Sequence, residues 1–196
     1  MKAQVVLFDG FDPLDVIGPY ETLGAGGLRV ELVAADGPRD VPSGLGFPLP
    51  ATARLDPHDA GLVVVPGAAA PTEDEIVALL SKAAETLRTP LRQALENGDL
   101  TVATVCGGSL VLAMAGLITG RTATTNHLGL EVLRELGVTA VRTRIVDDGD
   151  LVTAAGVSSG IDLGLYLVER EAGAQKALEV ETLFAHERRG TAWRAA

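Results

Sequence analysis

The stretch Leu100-Thr-Val-Ala-Thr-Val-Cys106-Gly-Gly-Ser-Leu-Val-Leu-Ala-Met-Ala-Gly116 holds the only cysteine of the chain. A β-prone run ends at the thiol, two glycines follow, and an apolar helical segment comes next. This order predicts a strand, a sharp turn and a helix, the arrangement of a nucleophile elbow. Gly107 and Gly108 allow the backbone to reverse without a β-carbon clash. The unpaired N–H groups and dipole of the following helix are expected to favour the thiolate. Taken alone, a single free cysteine reads more readily as inert core, because free cysteines are among the most buried residues. The turn around Cys106 is what raises the catalytic reading.

Working outward, Val5–Phe8 and Leu62–Val65 are short continuous apolar runs, as expected of strands covered on both faces of a parallel sheet. Leu28–Ala34 alternates more and reads as a neighbouring strand. Pro13–Leu23 is a predicted helix that the Gly18-Pro19 pair interrupts or kinks. Residues 41–54 carry Pro42, Pro48 and Pro50, which favour an irregular edge hairpin. Thr72 to Glu96 is helix-prone behind a capping threonine and three acids, with Pro90 expected to divide it in two. A helix is expected over Leu128–Leu136, a hairpin over Ile145–Thr153 turning at Asp148-Gly149, and helices from Ser159 to Arg170 and from Ala174 to Arg188. Strands alternating with helices predict a single α/β domain over residues 1–196, flavodoxin-like and doubly wound, with a mostly parallel sheet and helices on both faces.

The 196 residues are enough for one complete α/β core. A net charge of −10 argues against nucleic acid or an anionic membrane as partner. One cysteine excludes an intrachain disulfide framework and suits a reducing cytoplasm. The opening Met1–Asp9 is too short and too soon acidic for a signal peptide, and no apolar run has transmembrane length. No His/Cys cluster has metal-ligand spacing. No cofactor is expected.

Open parallel sheets bind ligands beyond the carboxyl ends of their strands. Asp15 lies just past the first strand and is expected on the same rim as Cys106, although as a fragment it reads more readily as a solvated carboxylate capping a helix. Glu21, two turns on, reads most simply as surface. Val64-Val-Pro-Gly67-Ala68 is a second strand end whose Gly67 and Ala68 N–H groups are candidates for an oxyanion hole facing the elbow. The chain has three histidines, none beside Cys106 in sequence.

Leu14-Asp-Val-Ile-Gly-Pro-Tyr-Glu21, Val63-Val-Val-Pro-Gly67, Val105-Cys-Gly-Gly-Ser-Leu-Val-Leu112, Gly116–Thr125 and Ser159-Gly-Ile-Asp-Leu-Gly164 together resemble the DJ-1/PfpI (ThiJ) superfamily in the family's order. Within it the chain looks most like isonitrile hydratases and the sensor-like domains of certain AraC-type regulators. The resemblance implies a small-molecule substrate, a nucleophilic cysteine and a homodimer. In isonitrile hydratases the cysteine attacks the terminal carbon of R–N≡C, an acid supplies the proton, and water resolves the thioimidate to a formamide. Carried onto this chain, Cys106 is the nucleophile, Asp15 the general acid/base, and the backbone around Gly67, Ala68 and Gly107 the holder of developing negative charge. A carboxyl beside the sulfur is then expected to hold or share a proton. The chain departs from those relatives at Gly107, where they commonly carry threonine, and at Ala68, where they carry a second glycine. It also departs at Asn126-His127, where relatives often carry His-Trp; both residues are candidates for the site. Glyoxalase or deglycase action on α-oxoaldehydes is the enzymatic alternative. A redox or ligand sensor is the non-enzymatic one. The chain stops at Ala196 with no room for a helix-turn-helix, so direct DNA binding is not expected.

Overall fold

The computed structural model describes residues 1–195. Strand β1 (Lys2–Val6) leads through a Gly10 turn into α1 (Pro13–Ala25), and β2 (Arg29–Ala34) returns beside β1. A small antiparallel pair, β3 (Arg39–Pro42) and β4 (Pro48–Ala51), precedes β5 (Ala53–Arg54), which adds to the outer edge of β2. This is the proline-rich stretch expected at an edge. There follow β6 (Leu62–Val65), α2 (Glu73–Glu96), β7 (Thr101–Val105) and α3 (Gly108–Met114). Then come β8 (Thr122–Ala123), a 3-10 turn at His127–Gly129, α4 (Leu130–Glu135) and β9 (Thr139–Ala140). The chain closes with the hairpin β10 (Ile145–Asp147) and β11 (Leu151–Ala154), then α5 (Ser159–Ala172), α6 (Ala174–Phe184) and β12 (Trp193–Arg194).

The main sheet has eight strands in the order β12-β10-β11-β7-β6-β1-β2-β5, parallel except where β10 meets β11. β6 and β7 are buried at every position, as their apolar runs require. Since β1, β6 and β7 are adjacent and parallel, the loops after Val6, Val65 and Val105 leave the sheet on one rim. This is the doubly wound, flavodoxin-like arrangement read from the sequence.

Three helical predictions are corrected. α2 is one helix of 24 residues, and Pro90 does not divide it. Leu80, Ala83, Ala84, Leu87, Leu91 and Ala94 form one buried row running past the proline. Each buried leucine contributes about 1.5–3 kcal/mol, comparable with the roughly 3 kcal/mol cost of an interior proline. Thr86, whose carbonyl loses its partner at Pro90, is on the exposed side, where water can serve it. The last helix ends at Phe184 rather than Arg188, because Ala185 turns left-handed at φ 49°. Its tail is then pinned elsewhere: Arg188 pairs with Glu169 and Glu181, and His186 Nε2 lies 3.0 Å from the buried Asp162 carboxylate.

α1 also continues unbroken through Gly18-Pro19. Gly18 lets it close against α5, where a β-carbon would come within 3.2 Å of the Ile161 nitrogen. Gly164 on α5 receives Thr22 of α1 so closely that a β-carbon there would lie 1.7 Å from the Thr22 Oγ1. This contact sets the position of the helix that carries Asp15. Gly164→Ala is therefore expected to destabilise the fold by about 1–3 kcal/mol through overpacking. Adding Thr22→Ala should recover part of that loss, which thermal melts of both single variants and the double variant would read as a positive coupling.

Candidate active site

Cys106 and Ala185 are the only described residues other than glycine with positive φ, Cys106 at 55°. A side chain in this region is strained and persists only where its surroundings hold it. Here both backbone groups of the cysteine are held. Its N–H is shared between the carbonyls of Ala155 at 2.8 Å and Ala154 at 3.1 Å, and its carbonyl accepts the Thr125 hydroxyl at 2.6 Å. The elbow read from the sequence is thus present, at the end of β7 and ahead of α3.

The two glycines after the thiol are demanded by close approach. A β-carbon at Gly108 would lie 2.2 Å from the Val65 carbonyl oxygen, so only hydrogen permits the elbow to seat against β6. One at Gly107 would press on Leu80 at 3.1 Å. Gly67 faces Gly107 across the rim, and its own β-carbon would come within 2.6 Å of the Gly107 nitrogen. Behind the elbow, Thr104 and Ser109 exchange a 2.6 Å hydrogen bond, Ser109 donates to the Thr124 carbonyl at 2.6 Å, and Thr124 N–H donates to the Thr153 hydroxyl. This buried network fixes the 122–126 loop that brings Thr125 and Asn126 to the cysteine.

Asp15 arrives from the first turn of α1, whose start is set by Asp12 capping Leu14 N–H and by Pro13. Its side chain is fully buried. Oδ2 accepts the Gly67 N–H at 2.9 Å, and Asp12 N–H in turn donates to the Gly67 carbonyl at 3.0 Å. α1 and the β6 loop are therefore clamped in both directions. Asp15 Oδ1 is buried and has no hydrogen-bond partner among the described residues. Burial holds this carboxyl well above the ordinary range, with the Asp12 charge adding to the effect; the Gly67 N–H and the thiol offset it in part.

The thiol itself is pushed up to about 12, first by burial and then by the Asp15 charge. Asn126 Nδ2, 3.6 Å from Sγ, and the Gly107 N–H act in the opposite direction. The expectation of a favoured thiolate at a helix N-terminus is thus corrected. α3 has only seven residues, and desolvation of a cysteine that is 7% exposed outweighs its dipole.

The other predicted residues divide. Asn126 joins the site as a donor to sulfur. His127, the next residue, is exposed and lines a neighbouring cavity instead. Glu21 is exposed on α1, beside Tyr20 and Leu183, and does not meet the thiol. Gly67 is corrected as an oxyanion donor, since its N–H is held by Asp15. The Ala68 N–H makes no hydrogen bond among the described residues and stays open for that role beside Gly107. Sequence reasoning gave no role to Thr125 or Ser109. The only signal was a run of threonines near the elbow, and hydroxyl-rich runs are more often surface.

With this geometry in place, comparison with known proteins decides the family. Residues 1–170 match the DJ-1/PfpI family. The chain belongs to that family. It is 35% identical over 183 residues to an isonitrile hydratase of Pseudomonas putida, covering 92% of this chain and 76% of that protein. It is 28% identical to a deglycase of Thermococcus kodakarensis, over 79% of this chain and 89% of the relative. Among solved structures, Drosophila melanogaster DJ-1beta superposes with a TM-score of 0.82 at 21% identity, covering 95% of this chain and 98% of its own, and supports the fold. A ThiJ/PfpI family protein from Pseudomonas syringae gives the same TM-score at 25% identity, over 96% of this chain and 76% of its own.

The electrostatics set the direction of a simple test. Because a negative Asp15 disfavours the thiolate, Asp15→Asn should lower the pKa of Cys106 and speed its alkylation by iodoacetamide at a given alkaline pH. Asn126→Ala, which removes a donor to sulfur, should raise that pKa and slow it. Alkylation rate against pH, read by mass spectrometry, should have its midpoint in the wild type well above that of a free thiol, about 8.5.

Proposed function

We propose that the protein is a cysteine-dependent hydratase of a small molecule, converting an isonitrile to an N-substituted formamide. The observation that carries this reading is a buried carboxyl, its pKa held well above the ordinary range, beside a buried thiol at a strained elbow, in a chain 35% identical to an isonitrile hydratase. Addition of a thiol across an isonitrile carbon needs one new S–C bond and one new C–H bond, with no net charge. The pair suits that demand. The Asp15 carboxyl gives its proton to the isonitrile carbon as Cys106 sulfur bonds to it, and the thiol proton passes to the carboxylate. The enzyme-bound product is a thioimidate, R–N=CH–S, with Asp15 again protonated.

Water then adds to the thioimidate carbon, one of its protons reaching nitrogen through Asp15. The tetrahedral adduct collapses as the C–S bond breaks, its hydroxyl proton returns to sulfur, and R–NH–CHO leaves. Asp15 thus serves as acid and base in turn, the role that a carboxyl kept neutral by burial can fill. The Ala68 and Gly107 N–H groups and the Asn126 amide are the donors available to charge developing at the adduct.

Glyoxalase and deglycase relatives often carry a glutamate proton acceptor, and the exposed position of Glu21, away from the thiol, weighs against that reading. The burial that raises the Cys106 pKa weighs against a peroxide sensor, because oxidation requires the thiolate. Both alternatives therefore rank below the hydratase. The row Leu14, Ile17 and Tyr20 on α1, each 36–43% exposed, supports a homodimer in which α1 meets its copy. A single DJ-1/PfpI-like domain over residues 1–196, acting in a reducing cytoplasm, completes the reading.

Purified protein should convert an aryl or cyclohexyl isonitrile to its formamide, followed by chromatography and mass. Cys106→Ala should reduce turnover to background. Asp15→Asn should reduce kcat about 10²–10⁴-fold while its Cys106 alkylates faster than the wild type. Full turnover by either variant would sink the mechanism.

A further inference from the structure

A cavity of about 230 Å³ opens beside the elbow, lined on one side by Thr125, Ala155 and Gly156. Thr125 and Ala155 hold the carbonyl and N–H of Cys106. Gly156 borders Asn126, since a β-carbon there would lie 3.7 Å from the Asn126 Nδ2 that itself contacts Sγ. Residues of the cavity wall thus hold the backbone of Cys106 and border Asn126, while Cys106 itself does not line the cavity. Across it stand His127, Arg142 and Arg144, with Leu130 as an apolar wall.

The polar groups of this lining are mostly committed. The Thr124 hydroxyl donates to the Thr143 carbonyl, and Arg144 pairs with the buried Asp162 and with Ser158. Arg142 and His127 make no hydrogen bond or ion pair among the described residues. Both side chains are exposed, and in a chain of net charge −10 an arginine without an acid partner in this lining makes a local site of positive potential. Guanidinium is permanently charged and matches a carboxylate with two parallel hydrogen bonds, and imidazole adds a third donor. The volume is below the range of pockets for drug-sized ligands, so it fits a short chain only.

We propose that the substrate is an isocyanoalkanoate, a short isonitrile whose carboxylate is bound by Arg142 and His127 while its terminal carbon reaches Cys106. This deepens the hydratase reading and rests on it for the isonitrile half. The anion site stands separately on the cavity. Arg142 and His127 are positioning residues: they set which substrate is held, and the chemistry stays with Cys106 and Asp15.

The test compares matched charged and neutral ligands. Isocyanobutanoate should be hydrated with a kcat/KM about tenfold above that of its primary amide, the difference lying in KM. Raising ionic strength should shrink this ratio. Arg142→Gln should abolish the preference, Arg142→Lys should restore part of it, and His127→Gln should reduce it. Independently of catalysis, Cys106 should be alkylated faster by the carboxypropyl derivative of iodoacetamide than by the butyl derivative, and Arg142→Gln should remove that selectivity. A preference unchanged in Arg142→Gln in both assays, or absent from the wild type, overturns the anion site. Failure to hydrate either isonitrile, with alkylation selectivity still dependent on Arg142, overturns the isonitrile assignment and leaves the anion site standing.

Discussion

The left-handed backbone at Cys106 is the constraint on which the rest of the site depends. A non-glycine residue at φ 55° is held there by bonds to Ala154, Ala155 and Thr125, contributed by segments distant in sequence. Those bonds in turn require β11 to lie beside β7, and the 122–126 loop to be anchored by Ser109 and Thr153. The elbow is a product of the whole sheet and not of its own turn alone. Its reward is direction: the sulfur emerges on the rim that α1 and the β6 loop also reach.

On that rim the decisive interaction is between Asp15 and Gly67. One hydrogen bond from a backbone N–H fixes one carboxyl oxygen and leaves the other buried without a partner. Burial then outweighs the stabilisation from that bond and holds the carboxyl well above the ordinary range. The same burial acts on the thiol. A carboxyl and a thiol that would repel as anions are thus both shifted toward their neutral forms by the same burial.

Much of this was legible in the sequence because the signals are local. Continuous apolar runs predict buried parallel strands, and the Cys106-Gly107-Gly108 turn predicts an elbow, since only hydrogen fits where β7 meets β6. Asp15 was legible as a rim residue because it follows the first strand. Pro90 misled, because an interior proline breaks an isolated helix but not one whose buried row spans it. The Ala174–Arg188 helix was overlong because its tail carries arginines that look helical and are used as tethers. Gly67 was misread because the sequence does not say which acceptor reaches a free N–H first.

The sequence by itself determined the strand order of chemistry: a doubly wound sheet, a single thiol at a strand end, an acid and a glycine turn bound for the same rim. These follow from periodicity and from steric rules that act over a few residues. Only the tertiary structure decided the burial that raises both pKa values, the choice of Asn126 over His127 and Glu21 as the group that meets sulfur, and the loss of Gly67 as a free donor. Those are matters of burial and mutual distance, which depend on how far elements from opposite ends of the chain exclude water from one another. The thiol that reads as a favoured thiolate in isolation is instead buried in the fold, and that burial raises its pKa.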